Sequence, residues 1–408
     1  MRKILVIKDG LSTGGTTSSF LAFLNAMKFQ TKYELFVWIN EAEEKRREIP
    51  NHVQVYFDER LDKSFRRPQT IAEKVISLAR NRQLFLYLKM KLLGLINQDD
   101  SRVIRMYQLM DIRSAKKQDM IKMDGFDAVI TWEEFYPCYL LAETIQTYKK
   151  IAWIHPDYIQ CGFDSKYDKP SFAKLDAIVA VSEKGRESLT ATMSEYAQKF
   201  YCVENCVNVD EVRIKAKEPQ NDMLKEDEIV CIVTVARLQN ISKALDRAVR
   251  IASNLKSKGY SFKWFFVGNG EDYNRMQAWI IENDVSDCVI LLGHKDNPYP
   301  YIANADLFVL QSYYEGKPVV VDESLILGTP VLVSNYAAAQ EQVPKDCGWI
   351  ADNNEEDICK KLEEVIRNRD EIISCRERLS KLDMNHFMDC SSCVNMLDEV
   401  LNNDCKNI

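Results

Sequence analysis

Short apolar runs alternate with amphipathic stretches along this chain, in two successive series, and that alternation restricts the fold more than any other feature. In the first half the runs are KILVI, YELFVWI, DAVITW, KKIAWIH and LDAIVAV; in the second they are EIVCIVTVA, KWFFVG, CVILLG, DLFVL and PVLVS. They are rich in β-branched and aromatic residues, and most end at Gly, Asn, Asp or Ser, the residues of turns. Near-continuous apolar strands separated by helices belong in parallel sheets covered on both faces. Two such series in 408 residues predict an α/β protein of two doubly wound, Rossmann-like domains.

The boundary shows as a change in composition. After YCVENCVNVD the chain becomes charged, with one Pro and no apolar periodicity, which predicts a linker over 208–226. The first domain is then 1–207 and the second 227–384. In the final segment, 385–408, Phe387, Cys390, Val394, Leu397, Val400 and Leu401 recur at helical spacing, as for a helix that packs back across the domains.

Composition narrows the function classes. At 46% hydrophobic and 28% charged the chain reads as a soluble globular protein. No apolar run reaches the roughly 18 residues of a membrane span. The opening MRKILVIKDG has too short an apolar core for a signal peptide, so the expected location is the cytoplasm. All 12 cysteines follow residue 137 at irregular spacing, many in apolar strands, the pattern of reduced thiols. Cys202–Cys206 and Cys390–Cys393 have metal-like spacing but no matching second pair, so no metal is expected.

The net charge of −7 is unevenly spread, because residues 60–122 carry an excess of Lys and Arg. A basic block in an acidic chain points to a local anionic partner. The block includes LFLYLKMKLLGLIN at 84–97. This is either a helical insertion packed on the first domain, or an interfacial segment that lays apolar side chains in lipid and Lys/Arg against anionic headgroups. Nucleic acid is not an expected partner, since the chain is acidic and carries no nucleic-acid motif.

Ligands of doubly wound sheets sit at the carboxyl ends of the strands. The first strand runs into a loop with Gly10, Gly14 and Gly15, where Thr16 or Thr17 can cap the next helix. The spacing is not G-x-G-x-x-G, and a glycine-rich first turn is common in βα folds. In the second half, Arg237 leaves a strand end and Lys243 follows a Ser242 cap, so a diphosphate could meet a guanidinium fork and a point charge. The same two cations could equally be a solvated pair beside a helix. GNGE at 268–271 and LGHKDNPYPY at 292–301 are turns suited to holding a flat base.

The sequence YYEGKPVVVDESLILGTPVL places Glu315 before a Gly316–Lys317–Pro318 turn and Glu323 in the apolar run behind it. Pro318 suits a first helical position, and the helix start would offer backbone N–H groups to an anion or a sugar hydroxyl. Carboxylates suit hydroxyls rather than phosphates. A ligand that satisfies all these groups has a phosphate centre flanked by hydroxylated rings, as in a nucleotide diphosphate sugar. Alternatively, both acids only stabilise a helix start.

The E-x7-E spacing of Glu315 and Glu323, together with ARLQNISKA and GTPVLVSN, resembles the signature of the retaining glycosyltransferases of family 4, the group 1 glycosyl transferases with the GT-B fold. LDAIVAVSEKGRESL and YCVENCVNVD are similar to that family's segments at the end of its first domain. The resemblance is strongest over 228–345 and weakest over 40–125. It implies two Rossmann-like domains facing a central cleft. The implied activity is transfer of a sugar, with retention and without a metal, from a nucleotide diphosphate donor such as a UDP-sugar to a hydroxyl acceptor.

By the resemblance, Arg237 and Lys243 bind the donor diphosphate, Glu323 the ribose and Glu315 the donor sugar. Gly316, Lys317 and Pro318 lie beside sugar and phosphates, Gly14 and Gly15 close over the diphosphate, and His155 in AWIHPDY approaches the donor sugar. No cofactor beyond the donor is implied. The acceptor would be a glycolipid or cell-surface polysaccharide intermediate at the inner membrane face. The chain departs from the pattern in three places. Ala236 and Ala244 stand where the family has glycines, the Arg-to-Lys gap is one residue longer, and EGKP replaces E-G-F-G. Two other readings remain: a non-catalytic nucleotide-sugar binding protein, and a nucleotide-sugar epimerase or phosphorylase on the same fold.

Overall fold

The computed structural model describes residues 1–11, 14–40, 45–65, 112, 120–223, 225–226 and 228–402. Most of the basic stretch 60–122, including 84–97, lies outside the described residues. The chain divides into two units: Met1–Ser12, Leu24–Glu204 and Cys390–Ile408 form one, Thr13–Phe23 and Asn205–Asp389 the other.

The first unit holds β1 (Arg2–Lys8), β2 (Tyr33–Ile39), β3 (Gln54–Val55), β4 (Ile121–Lys122), β5 (Ala128–Thr131), β6 (Ile145–Gln146), β7 (Lys150–Ile154), β8 (Ala177–Ala180) and β9 (Phe200–Cys202). Its main sheet runs β3-β2-β1-β5-β7-β8-β9, with β4 and β6 paired separately. Every pairing is parallel; Ile4 lies between Leu35 and Ala128, Ile7 between Trp38 and Thr131. Ile4 to Ile7 are wholly buried, as a strand covered on both faces requires. The order reverses between β1 and β5, the switch point at which such sheets bind ligands.

The helix Ser391–Asn402 belongs to this unit. Lys32 and Tyr33 both donate to Asp398, at 2.6 and 2.5 Å, and Arg2 donates to Asn402 at 2.6 Å.

The second unit holds β10 (Val230–Val235), β11 (Phe262–Val267), β12 (Val289–Gly293), β13 (Leu307–Leu310), β14 (Val331–Ser334) and β15 (Gly348–Ala351), in the order β12-β11-β10-β13-β14-β15, all parallel. Its switch point lies between β10 and β13. The helix Leu245–Ser257 buries Leu245, Ala248, Val249, Ala252 and Leu255 against one face, the spacing of one helical stripe. The helix Glu355–Arg367 covers the same face. Asn354 caps it, with three acids in its first turn and Arg367 in its last, all favourable to the helix dipole.

The stretch anticipated as linker contains a helix, Val209–Lys215. Asn208 Oδ1 accepts from the Glu211 N–H at 3.1 Å, and Val209 and Val212 are buried in the second unit's core with Met223. Two apolar residues three apart within a charged run make a stripe too narrow to register as periodicity. Among the described residues no disulfide joins the cysteines and no helix is long and apolar enough to cross a membrane.

Candidate active site

The carboxyl end of β10 leads into Ala236–Gln239, which lies directly on the loop Gly268–Gly270. Ala236 N–H donates to Val267 O at 3.1 Å, Leu238 N–H to Asn269 O at 3.0 Å, and Asp272 N–H returns to Leu238 O at 3.0 Å. The approach leaves no room for side chains: a Cβ on Gly268 would stand 1.9 Å from Ala236 O, and one on Gly270 would stand 2.3 Å from Leu238 O. Arg237 projects from this loop, exposed, and among the described residues it has no ion-pair partner.

A single helical turn, Asn240–Lys243, follows. Ala244 then adopts φ +50° and ψ +49°, the left-handed region, with its methyl fully buried. The related motif carries glycine at this position, and Ala bears about 1–2 kcal/mol of backbone strain there. Ser242 is not the cap of the next helix, since its hydroxyl turns to Gln239 Oε1 at 3.4 Å. Asn240 Oδ1 does the capping, accepting from the Asp246 N–H at 3.0 Å.

This turn holds the loop after β13. Gln311 Nε2 donates to Lys243 O at 2.8 Å, Tyr313 N–H to Ser242 O at 2.8 Å, and Asn353 Nδ2 to Tyr313 O at 2.7 Å. Backbone fastening of this kind fixes side chains as well. Lys243 Nζ lies 2.5 Å from Glu315 Oε1, and Ser312 Oγ donates to the same oxygen at 2.6 Å. Two groups 72 residues apart, each singled out in the sequence, thus meet directly.

The helix Val319–Ile326 begins one residue later than anticipated. Pro318 has ψ 116° and stands as N-cap rather than first helical residue. Its carbonyl accepts from Gln342 Nε2 at 3.0 Å, and the buried Lys317 gives its carbonyl to Asn205 Nδ2 at 3.4 Å. Glu323 is buried and accepts from the Tyr299 hydroxyl at 3.1 Å. Burial raises its pKa to about 7; nearby Asp322 adds to this, while Tyr299 and Lys215 oppose it.

Gly14 and Gly15 belong to this unit too. Gly14 has φ +146°, and a Cβ on Gly15 would stand 3.3 Å from Val319 Cβ, so the glycine loop abuts the first residue of the helix that carries Glu323. Thr16 and Thr17 do not cap the helix Gly15–Ala26; they lie in its first turn, where the N–H groups of Thr17 and Ser18 share Gly14 O.

His155 lies in the first unit, just past β7. Its Nε2 is 2.7 Å from Trp132 O. A carbonyl only accepts, so Nε2 carries the proton and Nδ1 keeps a lone pair. Burial lowers the imidazole pKa to about 4, so the ring is neutral near pH 7. At the ends of neighbouring strands the buried Lys8 pairs with Glu133 Oε1 at 2.5 Å, and Asp9 N–H donates to Glu133 Oε2 at 3.0 Å. Sequence reading passed over this pair. The available signal was a lysine closing an otherwise apolar strand and the double acid of TWEEF.

Two α/β units, each built on a parallel sheet, are the architecture of the GT-B fold, and in the second of them a Lys at a strand end meets an acid while a further acid lies on the following helix. Residues 215–382 match the family described as glycosyl transferases group 1. The amylovoran biosynthesis glycosyltransferase AmsK of Erwinia amylovora is 27% identical over 198 residues, 46% of this chain and 47% of that protein. The N-acetylgalactosamine-N,N'-diacetylbacillosaminyl-diphospho-undecaprenol 4-alpha-N-acetylgalactosaminyltransferase of Campylobacter jejuni is 27% identical over 172 residues, 42% of this chain and 45% of that protein. The chain thus spans about half the length of these relatives. The crystal structure of HepE from Anabaena in complex with UDP-glucose superposes with a TM-score of 0.62 at 12% identity, covering 100% of each chain, a likeness of fold.

Proposed function

We propose that this chain is a retaining glycosyltransferase that takes a sugar from a nucleoside diphosphate donor, a UDP-sugar, and places it on a hydroxyl of a glycolipid or polysaccharide intermediate. The observation that carries this reading is the meeting of Lys243 with Glu315, with Arg237 on the loop that leads to Lys243 and the buried Glu323 on the helix that follows Glu315. Cations for a diphosphate and carboxylates for hydroxyls suit a ligand with a charged centre and a hydroxylated ring on either side. The relatives named for amylovoran and for a diphospho-undecaprenol glycan support the acceptor class. The UDP-glucose in HepE supports the donor class.

In this mechanism the bond between C1 and the diphosphate oxygen breaks with its electron pair on the diphosphate. The acceptor oxygen bonds C1 from the same face, and its proton passes to the departing oxygen. Arg237 and Lys243 stabilise the charge that develops on the leaving group, so the reaction asks for no metal. Glu315 orients the sugar and Glu323 the ribose. His155, neutral, keeps Nδ1 as a hydrogen-bond acceptor.

The test is thermal stabilisation by a panel of nucleotides and nucleotide sugars, with and without EDTA, for the native chain and Arg237→Ala. Stabilisation by one nucleoside diphosphate, unmoved by EDTA and lost in Arg237→Ala, is the expected result. No shift with any nucleotide would overturn the reading.

A further inference from the structure

Lys243 and Glu315 have a consequence beyond holding a donor. Lys243 Nζ is committed to Glu315 Oε1 at 2.5 Å, and Ser312 Oγ donates to that same oxygen at 2.6 Å. Glu315 Oε2 accepts from none of the described residues. The two side chains are 20% and 12% exposed, so solvent screens the pair weakly. The hydrogen bonds from the Gln311 side chain and the Tyr313 N–H tie the Lys243 turn to the Glu315 loop.

A diphosphate drawn to Arg237 and Lys243 therefore arrives beside a fixed carboxylate of its own sign. Like charges at neighbour distance in a poorly screened site repel strongly. That repulsion is offset only when the ligand also brings a hydroxyl to Glu315 Oε2. A nucleotide sugar has such hydroxyls; the nucleoside diphosphate left after transfer has none in that position.

Resting on the function proposed above, we infer that Glu315 discriminates against the spent nucleoside diphosphate: its charge, held in place by Lys243, weakens binding of the product relative to the donor. Glu315 thereby acts in product release as well as in sugar orientation. This predicts that neutralising an acid inside the binding site tightens a ligand.

The experiment is calorimetric titration of the full chain with UDP and with inorganic pyrophosphate, at low salt, for the native protein, Glu315→Gln and Glu315→Ala. Circular dichroism confirms that each is folded. Both neutral variants should bind UDP and pyrophosphate about tenfold more tightly than the native chain. Lys243→Met should weaken both ligands, and adding Glu315→Gln to it should restore part of the loss. If UDP binds the native chain but neither neutral variant tightens it, the inference fails while the donor-site reading stands. If neither ligand binds any form, both fail together.

Discussion

Tyr299 donates its hydroxyl to Glu323 Oε1 across 3.1 Å, the hydrogen bond by which the described residues meet a carboxyl that burial has cut off from water. One neutral donor does not replace a hydration shell, so the acid sits at about 7 instead of 4.5. The tyrosine gains as well, its own ionisation pushed up by burial and by the acid it serves. A carboxyl poised in this way accepts hydroxyls most strongly once it has lost its proton.

The stability of the protein should therefore fall as pH rises through the interval between 4.5 and 7. Across that window the folded chain keeps a proton on Glu323 that the unfolded chain has released, and above it the deficit is constant. Glu323→Gln carries no such proton. The variant should match the native protein near pH 4.5 and exceed it by about 3 kcal/mol at pH 8. Urea unfolding at the two pH values measures the difference, and an offset that does not change with pH would contradict the assignment.

His155 works in the opposite sense. Its folded pKa of about 4 lies below the ordinary 6.5, so the unfolded chain takes up a proton that the folded chain refuses. The stability this contributes is complete above 6.5 and is lost as pH falls towards 4. His155→Asn keeps a donor for Trp132 O without a titrating ring, and should remove up to about 3 kcal/mol of acid sensitivity. Nitrogen-15 spectra of the histidines at pH 6 give a second reading: a neutral ring protonated at Nε2. A protonated His155 at that pH would refute the tautomer.

The long strands were legible because they are largely apolar runs, most of them ended by a turn residue, and Arg237, Lys243 and Glu315 were singled out from the segments just past them, with Glu323 from the apolar run behind Glu315. What escaped had no such signal. Gln54–Val55, Phe200–Cys202 and Gly348–Ala351 are strands of two to four residues at sheet edges, too short for a period to show. The helix Val209–Lys215 draws its stability from two valines and an Asn cap inside a charged run. The exchange of Ser242 for Asn240 as cap depends on Ala244 taking a left-handed conformation, which residue type alone argues against. The Lys8–Glu133 pair joins residues 125 apart, and only folding brings them together.

The close approach of two loops gives the sharpest mutational contrast. Gly259 and Gly268 both have positive φ, +81° and +146°, but a Cβ at Gly259 meets nothing within 4 Å while one at Gly268 would meet Ala236 O at 1.9 Å. Gly259→Ala carries backbone strain alone, as at any left-handed helix end, and should cost about 1 kcal/mol. Gly268→Ala has the strain and must also displace a carbonyl whose own N–H is bonded to Val267 O. It should cost about 3 kcal/mol or more. Because the displaced backbone is the segment that carries Arg237, this variant alone should also lose stabilisation by nucleotide. Thermal melts of both variants with and without UDP read the two effects together. Equal losses, or a full UDP shift in Gly268→Ala, would show that the loops do not need the contact.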